Sequence, residues 1–208
     1  MPRFIAERYG TVVSTSYKVM YSSLVQSPYL REVGESQVRK VLLGRQKYRH
    51  IVLARDPYER VRSFYRDKLV KDLNERERRP FQWCQRFILR QMGLWPFASY
   101  QRKLTALKSL TFDDFLAILP SVQNNGHLRP QVSLLRSGRH ELPPPDMVHQ
   151  IESDFSTIQE VAPFLTGLGR ANATGGLAQN LVISGEALVQ FNEIYCHDFN
   201  YFGYEIKS

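Results

Sequence analysis

One stretch constrains this chain more than any other: His50–Val70, HIVLARDPYERVRSFYRDKLV. Ile51-Val52-Leu53-Ala54 is a short apolar run, the form a buried strand takes. Arg55-Asp56-Pro57 breaks it. Beyond the break, Tyr58, Val61, Phe64, Tyr65 and Leu69 recur at helical spacing, and Pro57 sits in a first turn, where its missing N–H costs nothing. The stretch predicts strand, turn, helix. Arg55 then falls where the strand ends, and Ser63 lies one to two turns into the helix. An arginine fork and a hydroxyl held on rigid elements can grip one phosphate group. Read alone, the same residues also fit a strand-to-helix unit whose arginine is capped by Asp56.

Composition narrows the classes. With 208 residues, 43% of them hydrophobic, the chain supports one sizeable core, so a single domain over 1–208 is expected. Lys and Arg outnumber Asp and Glu by 28 to 20, a formal charge of +8. That balance suits anionic partners: nucleic acid, phosphorylated cofactors, acidic polysaccharides or a membrane surface. The charge is dispersed, and its densest cluster, Arg76-Glu77-Arg78-Arg79, is interrupted by an acid. Cys84 and Cys196 form no CxxC or Cys/His cluster, so a zinc site is not expected, and two lone thiols fit a reducing compartment. No apolar run reaches membrane-spanning length and no signal-peptide core opens the chain. The reading is soluble and cytoplasmic; an anchor trimmed from a longer chain would leave no trace.

Along the chain, Phe4-Ile5-Ala6 reads as a strand. Tyr17, Met20, Tyr21, Leu24 and Val25 read as a helix ending before Pro28, with Ser14, Thr15 or Ser16 as its cap. The segment between, Gly10-Thr11-Val12-Val13-Ser14-Thr15-Ser16, is expected to be a loop that can wrap a phosphate with backbone N–H groups. It is loosely P-loop-like but lacks the lysine. A strand is expected at Val38–Leu43, and the Arg55 helix should reach about Leu73. A further helix runs from Phe81 to about Met92, and Trp83 and Trp95 are expected to pack. Thr111 caps a helix ended by Pro120, and a polar loop leads to His127-Leu128-Arg129-Pro130-Gln131. His140 is expected to be exposed. Asp146–Glu152 reads as a strand, Phe155–Leu165 as a helix, 167–180 as a glycine-rich loop, and Ser184–Tyr195 as the last helix.

The wider pattern Arg55-Asp56-Pro57-Tyr58-Glu59-Arg60-x-x-Ser63-x-Tyr65 resembles the segment of sulfotransferases, the carbohydrate sulfotransferases above all, that holds the 3′-phosphate of the donor 3′-phosphoadenosine 5′-phosphosulfate (PAPS). The resemblance implies that Arg55 and Ser63 contact that phosphate. Thr15-Ser16-Tyr17-Lys18 is similar to the end of the family's first-loop motif, Pro-Lys-x-x-x-Thr-Ser, so Gly10–Ser16 would hold the 5′-phosphosulfate. Gly10-Thr11 stand where Pro-Lys belongs; Arg8 or Lys18 would then supply the missing charge. The Phe112–Phe115 helix, the loop and His127-Leu128-Arg129-Pro130-Gln131 resemble the family's Phe-x-x-Phe and His-Trp-x-Pro-Gln, with Leu128 in place of the tryptophan. This implies His127 as general base, with Arg129 and Gln131 orienting the acceptor or the sulfuryl oxygens. Glu152 matches the end of a Val-x-x-Glu strand and would orient the active-site loop or the histidine; Arg170 matches a late donor contact. Tyr195 to Tyr204 resembles the family's C-terminal Tyr-x-x-Asp-Phe-x-x-Phe-Gly-Tyr, a segment expected to pack against the core.

The implied fold is α/β, a mainly parallel sheet flanked by helices as in P-loop nucleotide kinases, with the donor at the C-terminal ends of the strands. The implied reaction is sulfuryl transfer from PAPS to an acceptor hydroxyl, a glycan in first place, leaving 3′-phosphoadenosine 5′-phosphate (PAP), with no metal. Three other readings stay open on sequence: an ATP-using phosphotransferase, disfavoured by the lack of Gly-Lys-Ser/Thr; a sulfotransferase-like nucleotide binder with weak or lost catalysis, as Thr11 and Leu128 allow; and a nucleic-acid binder, disfavoured by the dispersed charge.

Overall fold

The computed structural model describes residues 1–45, 47–75, 79–153, 158, 162–165 and 181–208. The chain divides into two compact units. The first holds Met1–Asp56, Gln131–Ala173 and Asn200–Tyr204; the second holds Pro57–Pro130, Thr174–Phe199 and Glu205–Ser208.

The first unit is a mixed α/β structure. Its strands are β1 (Arg3–Ala6), β2 (Thr11–Thr15), β3 (Arg31–Glu32), β4 (Arg49–Ala54) and β7 (Met147–Gln150), in the order β3-β1-β2-β4-β7. A two-stranded ribbon, β5 (Arg136–Ser137) with β6 (His140–Glu141), stands apart from that sheet. β2, β4 and β7 are parallel; β1 and β3 are antiparallel additions. β2 and β4 are the buried centre of the sheet: every residue of β2 is buried, and every residue of β4 except Arg49. Alternation sends Phe4, Ala6, Val13, Ile51 and Leu53 to one face, where they pack with Val19, Leu24 and Ile158. Ile5 and Val12 pack on the other face with Val38 and Leu142, and Val52 and Ala54 pack with Leu134 and Phe202.

Two elements of this unit differ from expectation. Val38–Leu43, expected as a strand, is the second half of α2 (Glu35–Leu42) with Leu43 as its C-cap, a helix with Glu35 in its first turn and Arg39 and Lys40 in its last. Val38, Val41 and Leu42 fall on one helical stripe at i, i+3 and i+4, and that stripe packs on Ile5 and Val12. The second difference lies in Gly10–Ser16. Instead of a loop, Thr11–Thr15 is the fully buried strand β2, laddered to β1 on one side and β4 on the other. The loop comes after it, at Ser16–Met20. Lys18 and Met20 adopt left-handed backbone angles, φ 72° and 55°, so α1 starts only at Tyr21 (Tyr21–Gln26).

The second unit is helical. α3 (Pro57–Phe64) continues through a π-helical stretch, Tyr65–Lys71, into α4 (Asp72–Asn74), which agrees with a helix reaching Leu73. α5 (Trp83–Gln91), α6 (Tyr100–Ser109), α7 (Phe112–Val122) and α8 (Gly185–Phe202, of which the part to Phe199 lies here) follow. Thr111 and Asp114 form a reciprocal capping box that starts α7 where its sequence signals it. Pro120 does not end α7, which runs on to Val122. Rings fill the interior: Phe64 on Phe115 at 5.7 Å, Tyr65 on Phe112 at 5.1 Å, and Tyr58 stacked on Phe191 at 4.9 Å. Trp95 packs beneath Arg86 and Lys103. Trp83, expected to pack, is instead 59% exposed beside Phe87. Cys84 and Cys196 are unbridged. No helix among the described residues is long and apolar enough to cross a membrane.

Candidate functional site

In the first unit, the strand end at Arg55 is fixed by two side chains. Gln131 is fully buried and reads the Arg55 backbone in both directions. It accepts from the Arg55 N–H at 3.1 Å and donates to the Arg55 carbonyl at 2.7 Å. Its oxygen also accepts from the Ser16 hydroxyl at 3.3 Å, so one amide ties the β4 end to the β2 end. Glu152, just past β7, accepts from the Asp56 N–H at 3.0 Å and from the Tyr204 hydroxyl at 3.0 Å, and lies 3.9 Å from Arg55 Nε. Burial and the neighbouring Glu152 both push the Tyr204 hydroxyl pKa up, so it stays a proton donor. Arg55 Nη1 donates to the Lys18 carbonyl at 3.0 Å, which links the arginine to the left-handed loop. The Arg55 side chain is 23% exposed. Thr15 Oγ1 donates to the Val19 carbonyl at 2.7 Å and holds the loop shape from below.

This geometry brings Ser16, Lys18, Arg55, Gln131 and Glu152 together at the C-terminal ends of the parallel strands. It removes several expected residues from that place. Thr11, Val12, Val13, Ser14 and Thr15 are strand residues whose backbone serves the ladders, so they do not form a phosphate cradle. The Ser14 hydroxyl pairs with His50 Nε2 at 2.9 Å, and the Thr11 hydroxyl donates to the Tyr9 carbonyl at 3.0 Å. Gly10, with φ 54°, closes the turn into β2 at its other end. Arg8 sits in that turn. At about 3.3 Å per strand residue, Gly10 and Ser16 are roughly 20 Å apart, too far for Arg8 to replace a lysine at the loop. Lys18 is the cation on the loop itself. Gln131, expected to orient the acceptor, has both ends of its amide committed to this frame. His140 is exposed on β6. Arg170 lies outside the described residues.

The second unit holds Ser63, His127 and Arg129. Ser63 is buried on α3, 7% exposed. The His127 N–H donates to Asn125 Oδ1 at 3.0 Å, and the His127 ring lies 5.6 Å from that of Phe64. Arg129 is exposed, with Nη2 3.4 Å from the Asn124 carbonyl. Leu128, standing where a tryptophan was expected, is fully buried. The residues that sequence reasoning missed are those beneath this loop. Arg60 is 0% exposed and donates to the carbonyls of His127, Leu128 and Arg129 at 3.0, 3.3 and 3.0 Å. The Tyr195 hydroxyl donates to the Leu128 carbonyl at 2.6 Å, and Asp198, also 0% exposed, lies 3.9 Å from Arg60. One signal was legible: Arg60 falls three residues after Pro57 and four before Phe64, on the helix stripe that is otherwise buried. No grouping of three or more potential metal ligands occurs among the described residues.

The first unit thus holds a sheet with three parallel strands and an arginine whose backbone is fixed where one of them ends, and the second holds a histidine on a fastened loop. The chain matches the sulfotransferase family over residues 21–205, nearly its whole length, and belongs to it. The match starts after the Gly10–Ser16 stretch, where the chain departs from the family's first-loop motif. No curated protein and no solved structure matches the chain. Family membership makes sulfuryl transfer to a hydroxyl-bearing acceptor its general chemistry.

Proposed function

We propose that the chain transfers a sulfuryl group from PAPS to a carbohydrate hydroxyl and releases PAP. The observation that carries this reading is Arg55: its backbone N–H and carbonyl are both held by Gln131, the next N–H, that of Asp56, is held by Glu152, and its guanidinium reaches the Ser16–Met20 loop. Fixing the backbone of a partly exposed arginine favours recognition of an anion, since less freedom is lost on binding. Arg55 takes the 3′-phosphate, and Ser63 joins it on the strength of the sequence motif. The Ser16–Met20 loop, with Lys18 as its cation, takes the 5′-phosphate. The acceptor oxygen attacks sulfur in line, the bond from sulfur to the 5′-phosphate oxygen breaks, and His127 takes the acceptor proton. A base in this role contributes on the order of 10²–10⁴-fold, and the cation offsets charge on the departing phosphate. Arg129 orients the acceptor, and Arg170 is a late donor contact. The family match runs through both units, so 1–208 is read as one sulfotransferase domain of P-loop-like type. The net charge of +8 favours an anionic glycan as acceptor, and two unbridged cysteines favour the cytoplasm.

Calorimetric titration separates this from a phosphotransferase: PAP is expected to bind at least tenfold more tightly than ATP, and the reverse order refutes a PAPS site. A second reading has its own observation. Thr11 stands in place of the family's lysine and is buried in β2, which suits a nucleotide binder with weak catalysis. PAP release from PAPS across a panel of desulfated glycans decides between them, since binding without release at any acceptor selects the second.

A further inference from the structure

We infer that Arg60, Tyr195 and Asp198 form a positioning clamp that sets the His127 imidazole; the inference rests on the reading of His127 as the base. A fully buried guanidinium is an expensive way to join helices, and apolar side chains of similar volume usually do so at least as well. Here it serves a backbone that apolar side chains cannot serve. Three consecutive carbonyls converge on one fork. In a strand successive carbonyls alternate, and in a helix they run parallel to the axis, so this convergence requires a specific tight turn at His127–Arg129. Fixing the turn fixes the direction in which the His127 side chain leaves the backbone.

The second fastening is independent. Asn125, itself fully buried, accepts the His127 N–H and donates its own amide to the Cys84 carbonyl at 3.3 Å. Both backbone polar groups of His127 are thus held by buried side chains, which leaves the ring two torsions, with Phe64 beside it. Tyr195 and Asp198 lie three apart on α8, on one face. Tyr195 adds a donor to the middle carbonyl, its ring faces Arg60 at 5.5 Å, and Asp198 balances the guanidinium charge. The C-terminal motif, expected only to pack, supplies two of the clamp's three residues.

The test uses the full chain with ¹⁵N-labelled histidine, of which there are five. His127→Ala identifies the His127 ring signals. Tyr195→Phe removes one hydroxyl and keeps the ring, so the fold survives. The clamp predicts that Tyr195→Phe shifts the His127 ring signals and titration midpoint and leaves the other four histidines in place. It also predicts that kcat for PAP release, with chondroitin as acceptor, falls about tenfold at unchanged KM for PAPS, and that the same change costs nothing further in a His127→Ala background. Arg60→Lys, which retains the charge but cannot span three carbonyls, moves the same signals further. A His127 signal unmoved by both variants, or an equal loss in the His127→Ala background, overturns the clamp. Normal turnover by His127→Ala overturns the base assignment itself, and the inference with it. An inactive His127→Ala beside a silent Tyr195→Phe overturns the clamp alone.

Discussion

Arg55 and Arg60 stand five residues apart in one motif and do opposite work. Arg55, in the first unit, has its backbone held by others and its side chain 23% exposed. Arg60, in the second, is 0% exposed and holds a backbone itself. The difference teaches that an arginine in a functional motif need not face the ligand. A guanidinium has five donors; one that finds three carbonyls inside the protein is a structural fastener, and one that is partly exposed on a backbone fixed from behind is what we propose as the recognition group.

The sharpest way to break this comparison is to remove both charges. Arg60→Met is expected to destabilise the chain by about 3–5 kcal/mol, because it removes the buried guanidinium that Asp198 and three carbonyls share, of which the Leu128 carbonyl keeps the Tyr195 hydroxyl. At roughly 2–4 °C per kcal/mol for a chain of this size, thermal unfolding should fall by about 10 °C. Arg55→Ala should leave the melting temperature within about 2 °C, since that side chain is partly exposed. A stable Arg60→Met, or an Arg55→Ala that unfolds, would dissolve the distinction.

The first unit also buries a polar side chain completely, but keeps it neutral. His50 is 1% exposed, and burial, with Arg3 nearby adding to it, lowers its pKa to about 4. The unfolded chain protonates this group near 6.5 and the folded chain only near 4. The unfolded state therefore binds more protons between those values, and stability is lost as pH falls through that window. The loss should approach about 3 kcal/mol at pH 4. Urea unfolding of wild type against His50→Gln, from pH 7 to 4, checks it: the variant's profile should be flatter.

Next in size is the binding effect that gives Arg55 its role. Losing a charge-assisted contact to phosphate costs about 1.5–3 kcal/mol, so Arg55→Ala should weaken PAP binding roughly ten- to a hundredfold by calorimetry. Unchanged affinity would leave the first unit without a recognition arginine.

The strand–turn–helix at Arg55 was legible because each local signal agreed: an apolar run, a proline at an allowed place, then a helical period. The second strand was not, because Gly10-Thr11-Val12-Val13-Ser14-Thr15-Ser16 carries loop-forming residues at both ends and its β-branched centre reads as a strand only once β1 and β4 flank it. α2 was misread for a related reason: Val-Leu-Leu fits either period over so few residues. Arg55 and Glu152 were singled out by motif, and the structure places them side by side at the ends of β4 and β7. Gln131 was found too, but with the wrong task, since only the fold shows that its amide faces the Arg55 backbone. Arg60, Tyr195 and Asp198 were missed because fastening a loop requires no exposure and leaves no short-range signature beyond helical spacing.

The smallest expected effect sharpens the comparison most finely. Glu152 serves Arg55 as Gln131 does, from behind, through the Asp56 N–H and the Tyr204 hydroxyl. Glu152→Gln keeps the shape and one acceptor oxygen but removes the charge near Arg55 Nε, 3.9 Å away and partly exposed to solvent. Two opposing effects follow. The arginine loses a pairing carboxylate, which frees its guanidinium for phosphate and tends to tighten binding. The Asp56 N–H loses a charged acceptor, which loosens the turn and tends to weaken it. Screening reduces the first effect, because a pair this exposed is worth under about 1 kcal/mol. The second is a charge-assisted hydrogen bond on the turn that aims Arg55, so weakening wins. PAP affinity should fall about two- to fivefold, and a Tyr204→Phe variant should fall no further than that. A Glu152→Gln protein that binds PAP more tightly than wild type would mean that the carboxylate restrains Arg55 instead of supporting it.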